Sequence, residues 1–534
     1  MDSLLPGRRD KQTTENTTIL APPWTDCSMR PPRQPDLPTS IAAAYDPGLL
    51  AVAGERLATR LAEAVQTRQA GEGHVLPQAT PAEQLQKAES FLAAEAHNGP
   101  LAERFDELIR VALAHGIALH HPRYVGHQVP PPVPLAGLFD AVGATMNQGM
   151  AIFEMGPWAM AVEQALAKKL AGLLGWSTDS CNGLATHGGS LANLTALLTA
   201  RNVLFPSAWQ EGLPRSGPPP VIVAHADAHY CITRAAGILG LGTQQIVPAA
   251  LDDRRRIDPN QLETTLQDLR RSGTPIVAVV ACSCSTPVGA FDPLVPIAEI
   301  CHRHQVWLHV DAAHGGGVLT SPLHRHLLQG INQADSVVID AHKMLFMPAL
   351  CTFLFYRQRQ HAYAAFQQQA PYLFATDSGS SDSCRADFDG GLRTVECTKR
   401  ATAFGLWGVW SMFGEQLFAD LVETVFAKAQ HLYSLLTDAD DFEPLYEPQA
   451  NILTFRHLPA RVAAAPDAIQ SGFQRLLRQT VVASGEFYLV TTTIDGSTVL
   501  RTTLMNPLTS DGDLETLLET LRATGRGIDL TDCV

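Results

Sequence analysis

Between residues 221 and 356, short apolar runs alternate with amphipathic stretches, and few folds accept that rhythm. VIVAHA (221–226), IVAVVA (276–281), VWLHVD (306–311), SVVID (336–340) and CTFLFY (351–356) have the length and β-branched or aromatic content of buried strands. Helix patterns separate them. CITRAAGILGLG (231–242) stops at glycine, and DPLVPIAEICHRH opens on Asp-Pro. IDPNQLETTLQDLRRSG carries Asp258 as N-cap, Pro259 in the first turn, arginines in the last and Gly273 as terminator. Strands alternating with helices predict an α/β fold, a mostly parallel sheet covered by helices on both faces. Such sheets bind ligands outside the carboxyl ends of their strands. Asp311, the group from Asp340 to Lys343, and His229 all fall at such ends, so one rim is predicted to gather them.

At 534 residues the chain is too long for one ordinary domain. Residues 1–38 hold TTENTT, APPW and RPPRQPDLPTS, a proline-rich arm expected to be disordered or draped over a neighbour. Residues 39–125 read as an N-terminal helical segment, and 126–400 as the large α/β domain. From 401 to 534 a helical stretch leads to the strands ANILTFRH, EFYLVTTTI and STVLRTTLM and a closing helix, a small α+β domain.

Composition removes several classes of function. A formal net charge of −14 argues against a sequence-independent grip on nucleic acid. No apolar run approaches the roughly 18 residues of a membrane span, and MDSLLPGRRDKQTTENTT lacks the apolar core of a secretory signal. Ten cysteines, several in apolar segments, suit reduced thiols in a cytoplasmic setting better than a disulfide framework. The histidines and cysteine of CHRHQVWLHVDAAH show no repeated metal spacing, so no metal site is expected.

DSVVIDAHKMLF (335–346) sets a lysine between a buried strand and a return to apolar residues, in a chain of seven lysines and thirty-two arginines. Such a lysine either snorkels to solvent or is held in a pocket for its amine. Burial would lower its pKa and suit it to a Schiff base. An aspartate at a strand end can pair with a pyridine nitrogen, and an imidazole can stack on the ring. THGGSLANLTALLTARN (186–202) adds a Gly-Gly-Ser turn opening a helix, where backbone N–H groups favour phosphate. Singly, each residue has an ordinary reading as helix start, N-cap or core histidine. Together they meet the requirements of pyridoxal phosphate.

HVDAAHGG (309–316), followed by DAHK, resembles the group II pyridoxal-phosphate-dependent amino-acid decarboxylases. HPRY (121–124), NQGMAIFEMGP (147–157), GGSLAN (188–193), DAHYCITRAAGILGLG (227–242), GAFDP (289–293), ECTKR (396–400) and LRTTLMNP (500–507) extend the resemblance in matching order. It implies fold-type I, a homodimer with the site at the subunit boundary, and release of CO2 and a primary amine. It also implies that Lys343 carries the cofactor, Asp311 pairs with the ring nitrogen, and His229 and Ala313 bracket the ring. Gly189, Ser190, Ser285 and His342 would hold the cofactor, with Arg501 and His127 on the substrate.

The chain departs from the family at informative places. Many members carry a proton-donating tyrosine on the loop before the ECTKR-like segment, and residues 375–391 here contain none. That leaves Cys384, His229 or a water as donor, and admits decarboxylation coupled to oxidative deamination by O2. An aminotransferase and an inactive scaffold are the remaining alternatives. Cys284, Ser285 and Thr286 replace the family's Gly-Thr-Thr, and Gly126 and His127 replace the Asn-Gln of glutamate decarboxylases. Asp340, where some members have asparagine, would repel a phosphate unless turned away or protonated.

Overall fold

The structure, a computed structural model, describes residues 37–93, 99–366 and 385–533. Nearly all of the arm and residues 375–384 of the loop lie outside the described residues. The chain divides into two compact units, Met1–Arg60 with Glu95–Ile109, and Leu61–Ala94 with Arg110–Val534. In the first, Arg60 Nε meets Asp106 Oδ1 at 2.8 Å and Arg56 Nη1 donates to the Ala102 carbonyl at 2.7 Å.

The second unit holds both sheets. The larger contains β1 (Asn182–Thr186), β2 (Val221–His225), β3 (Ile246–Ala249), β4 (Ile276–Cys282), β5 (Leu308–Asp311), β6 (Ser336–Asp340) and β7 (Thr352–Tyr356) in the order β1-β7-β6-β5-β4-β2-β3. From β2 to β6 all pairings are parallel, whereas β7 runs antiparallel to both β6 and β1. Strand alternation builds two cores. Val337, Ile339, Phe353 and Phe355 point into one, while Val338, Leu354 and Tyr356 point into the other. The helix Pro259–Arg271 starts where predicted, Asp258 Oδ1 accepting the Asn260 and Gln261 amides at 2.8 and 3.3 Å. Pro248 is accommodated because β3 is an edge strand.

The smaller sheet is antiparallel: β8 (Phe442–Pro444), β9 (Ile452–His457), β10 (Val490–Ile494) and β11 (Ser497–Thr503), in the order β10-β11-β9-β8. Asp495-Gly496, with φ of +48° and +83°, closes the β10–β11 hairpin with the left-handed turn that matches strand twist.

Candidate active site

At the carboxyl ends of β2, β4, β5 and β6 lies a cavity of about 300 Å³. Gly189, Ser190, His229, Ser285, Asp311, Ala313, His342 and Lys343, each singled out in the sequence, all line it. They come from five separate stretches of chain, so the predicted rim is assembled in three dimensions.

Each side chain is aimed by its element. Asp311 ends β5, and its carboxylate accepts from the Ala313 amide at 3.1 Å and from Asn193 Nδ2 at 3.3 Å. Burial pushes its pKa up, against the lowering influence of Lys343. Lys343 follows β6 in a tight turn, its own N–H donating to the Asp340 carbonyl at 3.2 Å. Its ammonium sits 3.0 Å from Asp340 Oδ2. Burial, the largest influence, presses the amine pKa down, but Asp340 and Asp311 together outweigh it and the net shift is upward. The expectation of a lysine lowered by desolvation is therefore corrected: the carboxylate three residues earlier faces the amine.

Asp340 itself is held below the usual carboxylate range. Burial opposes this, and Lys343, His342 and the Thr352 hydroxyl, which donates to Oδ1 at 2.5 Å, prevail. It is ionised and turned toward those partners.

His229 stands beyond β2, with Nδ1 accepting the Cys231 amide at 3.3 Å and burial holding the ring toward its neutral form. Ser285 is buried, and its hydroxyl accepts the Ala290 amide at 3.2 Å. Cys284 precedes it with φ +73°, a left-handed conformation at the position where the family has glycine. Its thiol is pushed well up by burial, so it is no acid.

Arg501 and His127 do not line this cavity; Gln128 does. Arg501, on β11, is buried, donates through Nε to the Pro287 carbonyl at 3.3 Å and leaves Nη2 without a partner. Burial lowers it only to about 10, so it stays charged at neutral pH. His127 is exposed, its ring 5.5 Å from that of Tyr488, and burial followed by the charge of Arg501 lowers its pKa.

Several lining residues had no role in the sequence reading. His314 is buried and held neutral at about 3, with Nε2 2.9 Å from Asn451 Oδ1 and Nδ1 unpartnered. His187 meets Glu396 of ECTKR at 2.6 Å, and Lys399 of the same motif meets buried Glu163 at 2.8 Å. Asn193 stands one helical turn after Gly189, a spacing that marks it as sharing that glycine's face.

A mostly parallel sheet with a lysine just past one strand end and an acid at the neighbouring strand end is the architecture of fold-type I pyridoxal-phosphate enzymes. Within that class the chain belongs to the group II decarboxylases: residues 88–458 match the pyridoxal-dependent decarboxylase conserved domain. It is 31% identical over 438 residues to cysteine sulfinic acid decarboxylase of Rattus norvegicus, covering 80% of this chain and 87% of that enzyme. Mouse CSAD superposes with a TM-score of 0.81 at 28% identity, over 90% of this chain and 99% of that one. Rhodiola rosea 4-hydroxyphenylacetaldehyde synthase shares the fold, with a TM-score of 0.77 at 18% identity over 91% and 99% of the two chains. The protein is a pyridoxal-phosphate-dependent amino-acid decarboxylase, a carboxy-lyase.

The residues present fit that cofactor. Gly188, at φ +97°, opens the helix Gly189–Leu204 with no side-chain cap, so its first amides are free for phosphate. A Cβ on Gly189 would lie 3.1 Å from both Asp340 oxygens, so only glycine fits here without displacing that carboxylate. Asp311 accepts two hydrogen bonds and retains lone pairs toward the cavity.

Proposed function

We propose that Lys343 carries pyridoxal phosphate as a Schiff base and that an L-amino acid is decarboxylated to CO2 and a primary amine at this rim. The observation that carries the reading is that Lys343, Asp311 and His229, from three separate strand ends, line one cavity. When bound, pyridoxal phosphate supplies an electron-withdrawing ring for the electron pair left on Cα by departing CO2. Asp311, as a carboxylate, would accept a hydrogen bond from the protonated ring nitrogen and so keep the ring cationic. His229 and Ala313 would bracket the ring, while the Gly189 and Ser190 amides, with Ser285 and His342, would hold the phosphate end.

Arg501 and His127 stand outside the cavity lining; Arg501, whose Nη2 is unpartnered, is proposed to take the substrate carboxylate and His127 to assist it. The proton that replaces CO2 on Cα comes from His229 or a water it orders; Cys384 lies outside the described residues. Cysteine sulfinate is the first substrate to try, because a relative with that name covers most of the chain.

The functional form we propose is a homodimer with the site at the subunit boundary. Leu138, Val142 and Met146 are exposed at i, i+4, i+8 on the helix Pro134–Met146, forming one apolar stripe. We also propose a cytoplasmic setting, supported by eight described cysteines that are all unpaired. No helix among the described residues is long and apolar enough to cross a membrane. The divisions at 38, 125 and 400 stand as proposed domain limits; the two sheets fall on either side of the last.

Mass spectrometry of products from a panel of L-amino acids, incubated in air, tests the chemistry. Amine with CO2 is the expected result. Aldehyde with ammonia and peroxide would mean that O2 and water are consumed and the oxidative reading holds; a keto acid would mean transamination.

A further inference from the structure

Behind Asp311 a hydrogen-bond chain crosses the buried sheet. Trp307 Nε1 lies 2.9 Å from Ser336 Oγ, and Ser336 Oγ 2.8 Å from His309 Nδ1. His309 Nε2 lies 2.7 Å from Asn193 Oδ1, and Asn193 Nδ2 reaches Asp311 Oδ2 at 3.3 Å and the Gly189 carbonyl at 2.9 Å. Ser336, His309, Asn193 and Trp307 are all buried, and His309 and Ser336 face each other across the β5–β6 pairing.

The direction of every bond follows from chemistry. Two acceptors, Asp311 and Gly189, fix the amide of Asn193 with its NH2 toward them, so its oxygen meets His309. His309 must then carry its proton on Nε2. Burial holds that imidazole neutral, pushed down to about 3, so Nδ1 accepts the Ser336 hydroxyl proton. The indole N–H of Trp307 can only donate, which settles the remaining bond. All donors point one way, toward the carboxylate, and such aligned bonds polarise one another.

We infer that Asn193 and His309 are positioning residues for the cofactor: the chain Trp307–Ser336–His309–Asn193 holds Asp311 as an oriented carboxylate beneath the ring nitrogen, and Asn193 ties it to the phosphate cradle. The inference rests on the proposed pairing of Asp311 with that nitrogen. Phenylalanine at 309 keeps the ring volume and removes both nitrogens; glutamine restores a donor and an acceptor.

The test uses holoenzyme loaded with pyridoxal phosphate labelled with 15N in the ring, alongside titration of apoenzyme with cofactor. His309→Phe moves the 15N resonance toward its unprotonated position and weakens cofactor binding about tenfold, the upper end for one hydrogen bond between neutral groups. In the same variant kcat falls with KM little changed. His309→Gln recovers most of each effect, and Trp307→Phe gives a smaller shift of the same sign. Asp311→Asn is measured in parallel. If it leaves the resonance in place, the pairing of Asp311 itself is wrong. If it moves the resonance and His309→Phe does not, or if glutamine fails to rescue, the chain serves packing alone and the inference falls. Should His309→Phe not fold, Asn193→Ser and Trp307→Phe carry the same readout, with an unmoved resonance overturning the proposal.

Discussion

If Lys343 carries the cofactor as proposed, it and the aspartate three residues earlier decide how readily this site is loaded. Addition of the Lys343 amine to an aldehyde requires its neutral form. Burial favours that form, but Asp340 at 3.0 Å, aided by Asp311, holds the proton on, so the capturing species grows only as pH rises. Asp340→Asn removes the nearest carboxylate and leaves burial dominant, so the amine pKa falls. The half-maximal pH for cofactor capture by apoenzyme then moves down by about one unit or more. Stopped-flow absorbance over a pH series measures it, and an unmoved or raised midpoint would show that Asp340 does not retain the proton. The same pair marks the limit of reading single residues from sequence. Lys343, Asp311 and His229 were legible because strand ends of a parallel sheet converge on one rim. The sign of the lysine shift was not, because nothing in DAHK says that the Asp340 carboxylate turns inward to meet Thr352 across the β6–β7 pairing. Asn193 was quoted within GGSLAN without a role, since its partners Asp311 and His309 lie more than a hundred residues away.

In the proposed reading, the helix Gly189–Leu204 is the element on which cofactor retention turns. Its entry requires φ +97° and ψ 156° at Gly188, a region open essentially to glycine, where an L side chain costs roughly 1 to 3 kcal/mol. Leu350 would also sit 3.4 Å from an added Cβ. Gly188→Ala is expected to lower apoenzyme stability by about that amount and to weaken cofactor binding about tenfold by tilting the first amides. Thermal unfolding and fluorescence titration separate the two effects. Lost stability with unchanged affinity would mean that this turn shapes the fold without holding phosphate. Elements differed in how plainly the sequence announced them. β4, β5, β6 and β7 were evident from their apolar runs, whereas β1 escaped notice because NGLAT is short and contains a glycine packed under Phe355. The direction of β7 could not be read, because CTFLFY has the same pattern whether it runs parallel or antiparallel to β6.

At the scale of the whole molecule, the exposed apolar surface asks for a partner. Leu138, Val142 and Met146 are 45%, 52% and 66% exposed on one helix face, and Met412 and Phe413 on the helix Phe404–Phe413, which packs against it, are 58% and 47% exposed. Scattered single apolar residues need no explanation, but a stripe at helical spacing beside a second exposed cluster does. A second copy of this chain would cover it. Phe153 and Met155 of NQGMAIFEMGP are exposed, as is Trp158 just after it at 55%, and Gly149 of that stretch bridges to Arg400, the last residue of ECTKR. The stripe is therefore tied to segments that flank the cavity through His187 and Glu396. Val142→Asp with Met146→Glu places two carboxylates on the face without touching any residue that lines the cavity. Sedimentation is expected to show half the wild-type mass, circular dichroism an unchanged fold, and cofactor affinity a loss of tenfold or so as the boundary opens. A variant that keeps the wild-type mass and affinity would place the subunit contact elsewhere. One that dissociates yet binds cofactor normally would confine the site to a single chain, and the exposed stripe would then serve assembly alone.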